Sequence, residues 1–163
     1  MTLVEANQLP PVDFVTQVGW VFEHTPWVAE RTLAQRPFGD LSSLHQAMWQ
    51  QVKTATREEQ LALLRAHPDL GARARMSDAS QGEQSGVGLD RLTPEEFARL
   101  TQANGAYREK FGFPFLFAVK GSTKHDILEA IERRVNYDWD AEFATALEQV
   151  FRIAGFRLAD TIY

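Results

Sequence analysis

Cysteine is absent from this 163-residue chain. Disulfides, thiolate catalysis and zinc–thiolate sites are therefore excluded. An excess of positive charge is missing as well: 22 acidic residues stand against 17 lysines and arginines, for a net charge of −5. A nucleic-acid binder needs a basic face to neutralise phosphates, so no nucleic-acid partner is expected. No apolar run approaches the length of a membrane span, so no membrane partner is expected either. There is no glycine-rich phosphate loop and no dinucleotide fingerprint. The histidines, His24, His45, His67 and His125, lie far apart and lack the paired spacing of metal ligands. No metal is expected. The opening stretch MTLVEANQLPPVDF has an acid and prolines where a signal peptide has a basic region and an apolar one. The closing ADTIY is not a peroxisomal tripeptide. The expectation is a cytoplasmic protein.

What is present is an ordinary globular composition, with 44% hydrophobic and 24% charged residues. The length suits one domain, residues 1–163, around a sizeable core. Helical periodicity runs through almost all of it. Asp13 is a candidate N-cap ahead of Phe14, Val18, Val21 and Phe22, and Pro26 predicts a break before Trp27. Asp40 or Ser42 can cap a helix carrying Leu44, Met48 and Val52. Thr56 with Glu59, and Thr93 with Glu96, match the capping box, and Pro94 suits a first helical position. Phe97, Leu100, Asn104, Tyr107 and Phe111 share one helical face, and Gly112 is a plausible stop. Between these, residues 69–92 are rich in glycine, serine and charge and read as a long loop. FPFLFAVKG reads as an extended, buried segment, followed by helices from Ser122 or Thr123 and from Trp139. The fold class is all-α, a single compact domain of roughly six to eight helices without significant sheet.

Several places offer chemistry beyond packing. His67 in RAHPDLG stands where a helix must stop, because the residue before a proline is pushed out of the α region. The helix dipole alone accounts for a histidine there. A general acid or base held by Pro68 at the edge of a cleft accounts for it too. In SQGEQSG, Ser80 and Glu83 fit a capping pattern, yet no apolar periodicity follows. A short polar turn offering the hydroxyl of Ser80, the carboxylate of Glu83 and the amide of Gln84 to a heterocycle is the alternative. The non-helical FPFLFAV leaves backbone groups that need partners, some of which a planar polar ligand could supply. Arg157, between Phe156 and Leu158, is a candidate for clamping a carboxylate. On these residues alone, an undefined enzyme and a helical interaction module stand equal.

Taken together, FEHTPWVAERTLAQRPF, LLRAHPDLGAR, SQGEQSGVGL, YREKFGFPFLFAVKG and RIAGFRLAD change that balance. In this order the chain resembles the OHCU decarboxylase family, where OHCU is 2-oxo-4-hydroxy-4-carboxy-5-ureidoimidazoline. The tail points to a bacterial-type member. The resemblance implies an all-α, cofactor-free carboxy-lyase, often a homodimer, that converts OHCU to (S)-allantoin at the end of urate degradation. It implies a catalytic histidine at His67 and a catalytic carboxylate at Glu83. It places Pro68, Ser80, Gln84, the backbone of Phe115, Leu116, Phe117, Ala118 and Val119, and Arg157 at substrate-contact positions.

Overall fold

A computed structural model describes residues 1–71 and 78–163, with only the backbone for 78–80. Nine α-helices and no strand occur among the described residues. The chain divides into two compact units, residues 1–66 with 151–163, and residues 67–150.

The first unit contains α1 (Leu3–Gln8), α2 (Pro11–Val18), α3 (Trp27–Thr32), α4 (Leu41–Lys53) and α5 (Arg57–Arg65). Thr2 and Glu5 form a capping box that starts α1, a helix too short for periodicity to reveal. At α2 the cap is Pro10, and Asp13 sits inside the first turn rather than at the N-cap. Pro11 at the first helical position has no N–H, so one of the donors that a cap would otherwise satisfy is absent. Asp40 caps α4, its carboxylate accepting from the Ser43 N–H at 2.7 Å. Thr56 and Glu59 form the expected capping box of α5. Phe14, Val18, Phe22, Val28, Leu44, Met48, Leu63 and Leu64 are all fully buried in this unit.

The second unit contains α6 (Asp78–Gly86), α7 (Pro94–Phe111), α8 (Lys124–Arg134) and the first part of α9 (Trp139–Thr161). The capping box at Thr93 and Glu96, with Pro94 at the start, opens α7 as the sequence predicts, and Gly112 closes it at φ 79°. Phe97, expected on the buried face, is 38% exposed, because the first turn of α7 lies at the rim. Thr123 caps α8 with Asp126. Residues 113–119 lie outside any helix and are almost wholly buried, with Tyr107, Phe111, Phe113, Phe115, Trp139 and Phe143 in ring contact around them.

A further expectation fails in this unit. SQGEQSG is not a polar turn: it lies in α6. The helix hides from periodicity because the buried position among its described side chains is Gln84, a polar residue. Its end is a Schellman motif: Leu89 N–H donates to Gln84 C=O at 3.0 Å, and Gly88 N–H to Ser85 C=O at 3.1 Å. Gly88 has φ 83°, and Leu89, the residue after it, is buried. The glycine and serine content that suggests a loop therefore supplies a helix terminator. Residues 72–77 of the expected loop, and the side chain of Ser80, lie outside the described residues.

Candidate active site

His67 follows the C-cap of α5, Ala66, as Pro68 dictates. It is only 7% exposed, so the imidazole is buried rather than open at a surface. Three of the four residues after it are tied down by contacts. Arg108 reaches Asp69 at 3.1 Å. Asn104 Nδ2 donates to Leu70 C=O at 3.0 Å, and Gly71 N–H donates to Gln84 Oε1 at 2.8 Å. Gln84 is 5% exposed, and this bond joins α6 to the chain that leaves His67. Glu83, half-buried on α6, belongs to the same unit.

The non-helical segment 113–119, also in this unit, is fixed by buried charge. Arg134 Nη1 donates to Leu116 C=O at 2.7 Å, and its Nε donates to Glu142 Oε1 at 2.9 Å. The Tyr107 hydroxyl donates to the same carboxylate oxygen. The Arg134 guanidinium also lies over the Phe115 ring, 4.3 Å from its centroid. Burial, and then the bond to Glu142, push the Tyr107 phenol up, so it stays a neutral donor. Gln149 Oε1 accepts from Ala118 N–H at 2.9 Å. Two of the backbone groups expected to await a ligand, Leu116 C=O and Ala118 N–H, are thus satisfied by side chains of the unit itself.

The sequence reading missed this network, although a signal exists. Arg134 falls at helical spacing from Ile127, Ala130 and Ile131, and Glu142 from Trp139 and Ala146. Charges on apolar stripes are candidates for buried pairs.

Arg157 belongs to the first unit. It is 3% exposed, in keeping with its apolar neighbours. Its Nη1 stands 2.8 Å from Glu23 Oε2, in the FEHTPW stretch, and 3.4 Å from Val21 C=O. A carboxylate of the protein thus already meets the guanidinium expected to meet a substrate carboxylate. Breaking a buried pair of this kind by removing one partner costs about 3–5 kcal/mol.

Among the described residues, no group of three histidine, aspartate or glutamate side chains could hold a metal. No described helix is long and apolar enough to cross a membrane. An open depression of about 410 Å³ in the second unit is lined by Gly86, Gly88, Arg91, Thr123, Lys124 and His125 among others. None of the sequence-predicted site residues lines it.

Sequence comparison adds the following. The family model described as OHCU decarboxylase matches residues 7–159. A protein of Haloferax volcanii, named 2-oxo-4-hydroxy-4-carboxy-5-ureidoimidazoline decarboxylase, is 47% identical over 160 residues, covering 98% of this chain and 95% of that one. A uric acid degradation bifunctional protein of Bacillus subtilis is 45% identical over 161 residues, but this chain spans only 33% of it. A crystal structure of (S)-allantoin synthase is 34% identical with a TM-score of 0.80, covering 99% of this chain and 54% of that chain. A family match running nearly end to end, with a relative this similar over nearly its whole length, leads to one conclusion: the chain belongs to the OHCU decarboxylase family.

Proposed function

We propose that this protein decarboxylates OHCU to (S)-allantoin, with residues 1–163 acting as one catalytic domain. The observation that carries the reading is the family match over residues 7–159. The chemistry is consistent with the residues present. In OHCU the ring carbon that bears the carboxylate also bears a hydroxyl, and its neighbour is part of a C=N bond. The C–C bond to the carboxylate breaks and carbon dioxide leaves. The electron pair passes into the C=N bond, so the substrate carries its own electron sink and needs neither pyridoxal phosphate nor a metal. The hydroxyl then becomes the carbonyl of allantoin as the ureido-bearing carbon takes a proton. The protein has to orient the carboxylate, stabilise the migrating charge and deliver that proton to one face.

In this scheme His67 contacts the hydroxyl and carboxylate region and serves as general acid/base. Glu83 orients His67 or carries a proton of the hydroxyl or ureido group. Pro68 stiffens the backbone beside the imidazole. Arg157, Ser80, Gln84 and the backbone amides of residues 115–119 hold the ring and the ureido arm. The anchoring of His67 by the segment that follows it, and the rigid frame behind residues 113–119, support these roles. We further propose a homodimer working in the cytoplasm.

The test uses OHCU generated in situ from urate by the two preceding enzymes of the route. Its decay and the optical activity of the product are followed with chelator-treated protein and no added cofactor. Formation of one allantoin enantiomer well above the spontaneous rate is expected. Decay at the spontaneous rate with racemic product contradicts the reading. Glu83→Gln keeps the shape and removes the charge, and near-normal turnover in that variant would remove Glu83 from the acid/base chemistry. Sedimentation of the same sample reports the oligomeric state.

A further inference from the structure

Asn104 is a polar residue on the apolar side of α7, where Leu100, Tyr107 and Phe111 are buried. Its Oδ1 is itself buried and has no hydrogen-bond partner among the described residues. A leucine would fill such a position without leaving a buried acceptor unpaired. What the amide does instead is donate from Nδ2 to Leu70 C=O.

This contact is one of three in a row. Leu100, Asn104 and Arg108 recur every four residues along α7 and so form one stripe. They meet Gly71, Leu70 and Asp69 in reverse order. At Gly71, where φ is 74°, an added Cβ would lie 2.7 Å from Leu100 Cδ2, so the two are in close packing. At Leu70 the contact is the Asn104 amide, and at Asp69 it is the Arg108 guanidinium, 3.1 Å away. Only Asp69 and Pro68 separate Leu70 from His67, and the φ of Pro68 is locked by its ring. A carbonyl held at Leu70 therefore fixes the backbone of His67 through a short, stiff lever.

We infer that Asn104 is a positioning residue for His67, with α7 serving as the cradle that sets where the imidazole lies. The inference rests on the proposed reading only in taking His67 as the group that acts on substrate.

Asn104→Asp tests it, since it keeps the shape, removes the donor and sets an acceptor against the Leu70 carbonyl. Asn104→Ser is the second variant, too short to reach Leu70, for use if the new carboxylate prevents folding. Each is measured as folded protein, established by tryptophan fluorescence, for kcat and KM on OHCU. The histidine Cε1–H resonances are followed in parallel as pH is varied. A fall in kcat of about 10–100-fold is expected, with KM changed far less. The resonance and titration of His67 should shift while those of His24, His45 and His125 hold. Folded variants with wild-type kcat and an unmoved His67 resonance would overturn the inference. If the wild type itself leaves OHCU untouched, the functional reading fails, and the His67 resonance alone decides the placement by Asn104.

Discussion

Residues 67–71 and residues 113–119 are the two stretches of the second unit that leave helix yet carry candidate site groups, and they are secured by different physics. The second is dry. A guanidinium, a carboxylate and a phenol, all nearly or fully buried, converge behind Leu116 and are walled by aromatic rings. The first is held by neutral amides, a close glycine contact and a partly exposed ion pair, from two helices, α6 and α7, that lie partly in solvent. Charges taken out of water bind a backbone stiffly, but each is costly once its partner goes. Neutral amide contacts are worth about 0.5–1.5 kcal/mol each, so they can be lost singly without unfolding the chain. Damage behind residues 113–119 should therefore appear as lost fold, and damage behind residues 67–71 as lost activity.

The largest effect should follow from Glu142→Ala. It leaves the Arg134 charge and the Tyr107 hydroxyl buried without their shared acceptor. Urea unfolding should show a loss of about 3–5 kcal/mol. A loss below about 1 kcal/mol would be the size of an exposed pair and would erase the contrast between the two segments.

A smaller effect is expected from Gly71→Ala, and Gly121→Ala serves as its control. Both glycines have positive φ, 74° and 82°. Alanine in that conformation costs about 1–2 kcal/mol at either position. Only at Gly71 does the new methyl also meet Leu100, because nothing lies within 4 Å at Gly121. Chemical denaturation should therefore rank Gly71→Ala as the more damaging, and only it should slow turnover. Equal losses would mean that Leu100 gives way freely and that α7 does not brace the chain after His67.

The smallest effect is acidic loosening of the first turn of α7. The Lys124 ammonium and the Thr93 amide hold the Glu96 carboxyl down at about 2, below its ordinary 4.5. A depressed carboxylate contributes stability that is fully present above pH 4.5 and is lost as pH falls through about 2. Amide exchange at the start of α7 should quicken over that window. Exchange that stays flat there would mean that the capping box is not what anchors the helix.

How much of this could be read beforehand depends on the range of the forces. The capping boxes at Thr56 and Thr93, the stop at Gly112 and the non-helical FPFLFAV are settled within a few residues of chain, so the sequence displays them. His67 falls just beyond a helix because a steric rule between neighbours puts it there. Its burial was not legible, since that depends on what packs over it. Nor was α6, whose inward position is a glutamine that makes sense only once Gly71 stands across from it. The pairing of Arg157 with Glu23 joins distant parts of the chain, and no local pattern announces it. Asn104 lies between these cases: its place on an apolar face was visible, but its reason, the Leu70 carbonyl, was not.

The central claim is that a buried imidazole, held just past a helix end, carries out the chemistry on OHCU. The most direct measurement compares the wild type with His67→Ala, each verified as folded, for OHCU decay and for the optical activity of the allantoin formed. The account predicts fast production of a single enantiomer by the wild type, and decay at the spontaneous rate with racemic product for the variant. Fast, stereospecific turnover by both proteins would contradict it.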